Sequence, residues 1–404
     1  MVPVGAQRVA RKERHLRPGQ ENVPRDPLRI ATLMEAATVT GPAKNVIRFA
    51  HDNRNLVEIR IFTFKRGERE ASATNPFMDA ARRAGLTVEV IHEKRRFDWG
   101  VLAQLKQLFA AYQPDLVETH SVKSHFLVTL LGRARPRPWI AFHHGYTDEN
   151  FKMRTYNSLD SYSLRRSDRV VTVCEAFVPE LERRGVARSK VDILHNSINP
   201  AWSAAPDEVT QLRASLGLAP GVVRILAAGR LSREKGHATL IEGVADVKRQ
   251  RPDLAFEVLL AGDGPLRESL VALAKARGVE AVIRFVGQVN NIQAFFGVAD
   301  IMVLPSFSEG SPNVVLEAMA ARLPVVATRV GGVPEILRDR ETALLTPPGD
   351  SKALTAALIE LIDNADLRTQ LAVRAHEHVV AEFTTGRYDG RLLAVYAKAA
   401  AAGK

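Results

Sequence analysis

Short apolar runs alternate with longer amphipathic segments along most of the chain. Some runs, such as VVRILAA at 222–228 and IMVL at 301–304, are almost continuously apolar, which is typical of strands buried on both faces of a parallel sheet. Helices are predicted between the runs, for example at 236–250, 265–277 and 351–362. The predicted strands are 28–34, 57–63, 87–92, 115–118, 139–143, 169–173, 191–194, 222–228, 255–261, 282–286, 299–304, 324–328 and 343–346.

This alternation falls into two successive sets, which predicts an α/β protein with two doubly wound Rossmann-like domains facing each other across a cleft. We place the first domain at 28–198 and the second at 199–384, with the join in the turn-rich stretch SINPAWSAAP. The last helical pattern, 385–400, is expected to return to the first domain. Residues 1–27 are polar, basic and contain Pro and Gly, so we expect them to form a basic flexible arm. They lack an apolar core, so we do not expect a secretory signal.

The composition is that of a globular protein too long for one ordinary core, with 404 residues, 46% hydrophobic and 25% charged. The single cysteine, Cys174, excludes a disulfide within the chain and favours a reducing compartment. It has no neighbouring base or second cysteine in the sequence, so we expect it to be a packing residue. No apolar run is long enough to span a bilayer. We therefore predict a cytoplasmic location.

The positive charge belongs to the first half of the chain. Residues 1–200 carry 33 Lys and Arg against 22 Asp and Glu, whereas residues 201–404 carry 23 of each, so the whole net charge of +11 lies in the first half. Two interpretations stay open: a surface that only keeps the protein soluble, or one that meets an anionic partner such as an acidic acceptor or the inner face of a membrane. Nucleic acid is not expected, because no reader motif accompanies the basic residues.

The stretch SEGSPNVVLEA at 308–318 carries the most informative chemistry. Ser311 followed by Pro312 predicts a helix start, with the serine hydroxyl as N-cap. Glu309 precedes this start and Glu317 lies just over one turn inside, so both carboxylates can reach one ligand at a helix end that favours anions. Carboxylates accept sugar hydroxyls well, which points to a nucleotide sugar. The alternative is that Glu309 only complements the helix dipole and Glu317 is a solvated helix residue.

Further candidates follow other strand ends of the second half. In GRLSREKG, Arg230 and Lys235 could neutralise a diphosphate and its developing charge, or be ordinary surface cations. The turn in LLAGDGPL has glycines that allow close approach of the backbone to a ligand, or form only a turn. No Asp-X-Asp pair follows a strand of this half, so we expect no metal requirement.

Taken together, these segments resemble a known family. In order and spacing, GRLSREKG, LLAGDGPL, IRFVGQV, ADIMVLPSFSEGSPNVVLEAMA, PVVATRVGGVPEIL and LLTPPGD resemble the retaining glycosyltransferases of the GT-B fold, family 4 (glycosyl transferases group 1). The resemblance covers most of 222–350, and the seven-residue spacing between Glu309 and Glu317 is its best-known signature. It implies that Glu309 and the amides of 313–315 hold the donor sugar and phosphate, that Glu317 takes the ribose hydroxyls and that 285–289 line the base.

The first half resembles the family more loosely. VTGPAKN supplies Gly41 near the diphosphate, although Thr40 and Pro42 replace a frequent second glycine. AFHHGYTD resembles the His-Gly that follows a strand at the cleft in this family, which implies that His144 contacts the donor sugar. The alternative is that His144 is a polar strand-end residue with no such role. The resemblance thus implies Arg230, Lys235, Glu309 and His144 as catalytic residues. It implies as donor-binding residues Gly41, Gly229, Gly262, Gly287, Gly310, Ser311, Asn313, Val314, Val315 and Glu317.

The predicted activity is transfer of a sugar, without a metal, from a UDP- or GDP-linked donor. The resemblance implies that the anomeric configuration is retained. The basic first half predicts a lipid-linked or anionic glycan acceptor, as in cell-envelope polysaccharide synthesis, met at the inner face of the membrane. Two other classes stay open: a sugar-nucleotide epimerase of the same fold, and a binding protein that has lost turnover. A glycosidase carboxylate pair is disfavoured by the two cations and the helix start.

Overall fold

The computed structural model describes residues 27–67, 75–95, 98–136, 138–145 and 151–402. The arm predicted at 1–27 therefore lies outside the described residues, apart from Pro27. Within the described ranges, no helix is long and apolar enough to cross a membrane.

The first half forms one parallel sheet of seven strands in the order β3-β2-β1-β4-β5-β6-β7. Its central strands are almost wholly buried, with helices on both faces, which explains their continuously apolar sequences. The strands are β1 Leu28–Leu33, β2 Val57–Arg66, β3 Thr87–Glu93, β4 Leu116–Thr119, β5 Trp139–His143, β6 Arg169–Thr172 and β7 Val191–Ile193.

The second half forms a separate parallel sheet of six strands in the order β10-β9-β8-β11-β12-β13. Its strands are β8 Val223–Ala228, β9 Phe256–Ala261, β10 Ile283–Gly287, β11 Ile301–Leu304, β12 Val325–Thr328 and β13 Leu344–Thr346. The prediction of two doubly wound domains is confirmed, and every predicted strand is found. The largest error at a strand start is at β11, where Asp300 accepts a hydrogen bond from the amide of Arg224 (2.7 Å) before the strand begins.

Helices cover both sheets and bury a separate apolar core on each face. They are α1 Gly41–Asp52, α2 Pro76–Arg83, α3 Gly100–Tyr112, α4 Val122–Leu131, α5 Phe151–Leu164, α6 Val178–Arg183, α7 Pro206–Ser215, α8 His237–Gln250, α9 Arg267–Ala276, α10 Ile292–Val298, α11 Asn313–Ala320, α12 Val333–Ile336, α13 Ser351–Asp363, α14 Ala365–Glu382 and α15 Thr385–Ala402.

The final helix, α15, packs on the first sheet although it follows the second in the chain. Tyr396 is buried against Phe49, with ring centroids 5.8 Å apart, and its hydroxyl donates to the buried carboxylate of Glu118 (2.6 Å). The guanidinium of Arg48 binds both carboxylate oxygens of Asp389 (2.7 and 3.0 Å). The chain therefore crosses twice between the two sheets.

Candidate donor-binding cleft

The start of α11 lies between the two sheets, but it is not capped as the sequence predicts. The helix begins at Asn313 with Pro312 as N-cap, and no side chain caps it. The hydroxyl of Ser311 instead accepts a hydrogen bond from the amide of Asn196 (2.9 Å), and the Asn196 side chain donates to the Ser311 carbonyl (2.6 Å). The N-cap prediction for Ser311 is wrong, because a contact with the first domain takes the hydroxyl.

The uncapped helix start leaves backbone donors available. The amide of Val315 donates to the carbonyl of Pro312 (3.1 Å). The amides of Asn313 and Val314 have no acceptor among the described residues. Because a helix start concentrates positive partial charge on such amides, these two N–H groups can bind an anionic group in the cleft.

Glu309 and Lys235 form an ion pair. The sequence alone predicts a separate role for each of them. Lysine Nζ lies 2.8 Å from carboxylate Oε1, which also accepts a hydrogen bond from the hydroxyl of Ser306 (2.6 Å). The carboxylate is buried, with Glu309 only 8% exposed. A buried carboxylate needs such a partner, so the pair fixes the position of the lysine ammonium beside the helix start.

Glu317 lies on α11 in a different environment. Its side chain is half-buried and has no hydrogen bond or ion pair within the described part of the chain. Burial raises the pKa of Glu317, and the ammonium of Lys44, on α1 of the first domain, partly opposes that rise. The carboxylate therefore faces the cleft with free acceptor capacity.

Arg230 follows β8 and is exposed, and its guanidinium contacts no carboxylate among the residues described. Its backbone carbonyl accepts hydrogen bonds from the amide of Ser232 (2.9 Å) and the ring of His237 (3.3 Å). The backbone at this strand end is thus fixed while the side chain stays available to a ligand.

Three of the predicted donor-binding glycines end neighbouring strands. Gly229 follows β8, Gly262 follows β9 and Gly287 is the last residue of β10. The amide of Gly229 donates to the carbonyl of Ala261 (2.9 Å), and that of Gly262 donates to the carbonyl of Gly287 (2.8 Å). A Cβ atom at Gly262 would lie 1.9 Å from the carbonyl oxygen of Gly229, so only glycine fits there. Together they form a bare backbone surface, which we call the glycine ledge.

Two other predicted glycines lie where the domains meet. A Cβ atom at Gly310 would lie 2.7 Å from Val173 of the first domain, and one at Gly41 would lie 2.9 Å from the side-chain amide of Asn313. Gly41 is the first residue of α1, and Thr40 caps that helix by accepting from the amide of Ala43 (3.4 Å). The helix starts of α1 and α11 therefore face each other at close range.

His144 follows β5 at the carboxyl edge of the first sheet and is exposed. Its Nε2 lies 3.5 Å from Nδ1 of His120, and the two rings stack with centroids 5.7 Å apart.

Cys174 is buried. Burial raises the pKa of its thiol to about 12, as expected for an inert packing residue.

Sequence reasoning missed the contacts that join the domains. The carboxylate of Glu335, at the start of the second-domain helix α12, accepts from the amides of Glu175 and Ala176 (2.8 and 2.9 Å) and lies 3.3 Å from His195. The sequence VTGPAKN likewise gives no sign that Lys44 acts on Glu317 across the cleft. The sequence alone gives no signal for which residues of one domain meet the other. Within the described ranges, no group of three His, Cys, Asp or Glu side chains could hold a metal ion.

Two facing Rossmann-like domains with a cleft between their strand ends define the GT-B class of glycosyltransferase folds. Residues 41–202 match the family model "Glycosyltransferase Family 4", and residues 222–364 match "Glycosyl transferases group 1". Since both halves match models of the same group, the chain belongs to the family 4 glycosyltransferases.

Sequence identity to individual relatives is low. The chain is 25% identical over 240 residues to the N-acetyl-alpha-D-glucosaminyl L-malate synthase of Bacillus anthracis, covering 59% of this chain and 62% of the relative. It is 34% identical over 172 residues to the lipopolysaccharide core biosynthesis glycosyltransferase LpsE of Rhizobium meliloti, covering 43% of this chain and 49% of LpsE. The match thus spans about half to three-fifths of these curated relatives. The fold resembles that of Anabaena Alr3699/HepE in complex with UDP-glucose, with a TM-score of 0.79 at 20% identity over 92% of this chain and all of that one.

Proposed function

We propose that this protein transfers a sugar from a nucleoside-diphosphate sugar to an acceptor hydroxyl. The observation that carries the proposal is the convergence at one cleft of the free amides of Asn313 and Val314, the cations Arg230 and Lys235, and the half-buried Glu317. Amides and cations suit a diphosphate, and a carboxylate with free acceptor capacity suits ribose hydroxyls. The activities for which the relatives are named agree with this chemistry.

The charges would act mainly on the departing diphosphate. As the bond between C1 of the sugar and the phosphate oxygen breaks, negative charge develops on that oxygen, and Lys235, Arg230 and the helix start stabilise it. In a retaining reaction the acceptor oxygen bonds to C1 from the leaving-group face, and its proton passes to the departing phosphate. Glu309 positions Lys235 for this role, and no step requires a metal.

The acceptor is proposed to bind the first domain. A cavity of about 440 Å³ opens at the carboxyl ends of β1, β2 and β3. Apolar residues dominate its wall, including Trp99, which is 68% exposed, Phe126 and Leu130. Its charged residues compensate one another: the ammonium of Lys123 lies 2.7 Å from Glu93 and 3.2 Å from Glu35. Such a surface supports an acceptor with an apolar portion, consistent with the expected lipid-linked glycan.

The test is a screen of UDP-, GDP-, CDP- and ADP-sugars, scored by nucleotide release with and without lipid-linked acceptors. Acceptor-dependent release with formation of a glycosylated product supports the proposal. Interconversion of donors without any acceptor would instead show an epimerase, and tight binding without turnover would show a binding protein. Leu130→Asp should abolish transfer to a lipid-linked acceptor and leave nucleotide binding unchanged; Val373→Asp, at an equally exposed valine of α14, is the control.

A further inference from the structure

A loop of the first domain packs closely against the second domain beside the cleft. It comprises residues 173–177, directly after β6, and we call it the contact loop. A Cβ atom placed on Gly310 would lie 2.7 Å from the side chain of Val173, and one placed on Gly332 would lie 2.6 Å from Cβ of Cys174. Both separations are too short for a real Cβ atom, so the close approach of the contact loop depends on these two glycines.

The carboxylate of Glu335 holds the contact loop to the second domain. It accepts hydrogen bonds from the amides of Glu175 and Ala176 (2.8 and 2.9 Å), and its Oε2 lies 3.3 Å from Nε2 of His195. Hydrogen bonds from backbone amides to a carboxylate are stronger than those between neutral groups, and the half-burial of Glu335 limits screening by water. The position of the contact loop is therefore fixed relative to α12.

Phe177, the last residue of the contact loop, lies between the two sides of the cleft. A Cβ atom placed on Gly145 would lie 2.8 Å from Cζ of its ring, and one placed on Gly310 would lie 3.1 Å from Cε2 of the same ring. Gly145 directly follows His144, and Gly310 directly follows Glu309. The ring thus separates the loop that carries His144 from the loop that carries Glu309.

We propose that Glu335 is a positioning residue for the transfer reaction and acts through Phe177. By holding the two amides of the contact loop, its carboxylate fixes the aromatic ring. The ring in turn sets the distance between His144 on the first domain and Glu309 on the second. Groups on facing domains act together only at the correct separation, and a misplacement of about 1 Å can cost on the order of a hundredfold in rate. The assignment rests on the proposed function, because it takes the cleft as the place of transfer.

The first test compares steady-state kinetics of sugar transfer with calorimetric titration of the nucleoside diphosphate. Glu335→Ala should lower kcat about tenfold to a hundredfold and change nucleotide affinity by no more than about twofold, because the proposed nucleotide contacts lie on the second domain. Glu335→Gln keeps one acceptor oxygen for the contact loop and should keep part of the rate, and it decides the matter if the alanine variant does not fold. Glu280→Ala, at an exposed glutamate of the second domain, should change neither quantity.

A double-mutant cycle tests whether the effect passes through the aromatic ring. Phe177→Ala alone should lower kcat by a factor similar to that of Glu335→Ala. Combining the two substitutions should lower kcat little further, because the carboxylate would then hold a loop that no longer carries the ring. If the two factors multiply in full, the residues act independently, and the assignment is overturned.

The separation of the domains can also be measured without any activity. Spin labels at Arg54→Cys on the first domain and Lys275→Cys on the second report the distance between two exposed positions, and the buried Cys174 does not compete for the label. Glu335→Ala should shift or broaden the distribution of distances, whereas Glu280→Ala should not.

Each remaining outcome decides a different point. An unchanged distance distribution or an unchanged kcat in Glu335→Ala overturns the assignment and leaves the proposed function intact. A clearly weakened nucleotide affinity in that variant also overturns it, because Glu335 would then act in donor binding. If the unmodified protein transfers no sugar from any donor, the proposed function fails, and the spin-label distances still show whether Glu335 fixes the two domains.

Discussion

The two sides of the cleft are built differently. On the second-domain side, the ligand-facing groups are backbone amides, bare glycines, side chains from the loops after β8 and β11, and Glu317 on α11. On the first-domain side they are two isolated side chains, Lys44 on α1 and His144 after β5, beside Gly41 at the start of α1. Backbone groups depend on turn and helix-start residues that leave a local mark in the sequence, whereas isolated side chains do not. This difference explains why the sequence of the second half predicts its part of the site, whereas the sequence of the first half predicts its part only loosely.

The largest expected effect is on the second-domain side. Lys235→Ala should lower kcat/KM for transfer by about a hundredfold to a thousandfold, because it removes a charged donor at the leaving group and leaves Glu309 buried without its partner. The measurement is steady-state kinetics, with thermal unfolding to check the fold. Lys248→Ala, an exposed lysine of α8, should be neutral; a loss no larger than the control's would argue against the leaving-group role.

On the same side, Glu317→Gln should weaken nucleotide binding by about tenfold, since a neutral amide accepts ribose hydroxyls less strongly than a carboxylate. Burial raises the pKa of Glu317, so affinity should fall as the pH drops through that raised pKa, and this fall should be absent in the variant. Calorimetric titrations at several pH values measure both effects. Identical pH profiles for the two proteins would contradict the ribose assignment.

On the first-domain side, His144→Ala should lower kcat about tenfold for a sugar donor and leave the affinity for the nucleoside diphosphate unchanged, because it is proposed to contact the sugar alone. Kinetics with a sugar donor, beside calorimetry with the nucleoside diphosphate, separate the two. His51→Ala, an exposed histidine of α1, is the control. A weakened affinity for the nucleoside diphosphate would show that His144 of the first domain also contributes to binding the nucleotide.

In the absence of ligand, the same Glu317→Gln substitution should increase the stability of the protein, although it weakens nucleotide binding. A carboxyl whose pKa is raised on folding holds its proton more tightly in the folded state, so the free energy of unfolding falls as the pH rises through that pKa. At neutral pH the variant should therefore unfold at a slightly higher temperature than the original protein, and at low pH the difference should vanish. An unchanged or lower unfolding temperature at neutral pH would contradict this.

The smallest effect concerns the contact between the domains. Ser311→Ala removes the acceptor for the amide of Asn196 and should lower the free energy of unfolding by about 1 kcal/mol. Because the helix start keeps its free amides, nucleotide affinity should hardly change. Chemical denaturation and calorimetry measure the two quantities, and a large loss of affinity would restore Ser311 to the ligand site.

Much of the fold could be predicted, and the reasons are local. Continuous apolar runs such as 222–228 predict strands buried on both faces, and the structure places a strand there. The residues at 308–312 predict the helix that follows them, but they also indicate Ser311 as its cap, because the sequence does not show that Asn196 competes for that hydroxyl. The pairing of Lys235 with Glu309, 74 positions apart, likewise depends on how two loops fold over one strand end.

We expect an activated sugar to bind across the start of α11. The most direct measurement is a crystal structure of the protein with a nucleoside-diphosphate sugar. We expect its phosphate oxygens to lie within hydrogen-bonding distance of the amides of Asn313 and Val314, and its ribose to lie at Glu317. A ligand bound well away from 309–317 would contradict it.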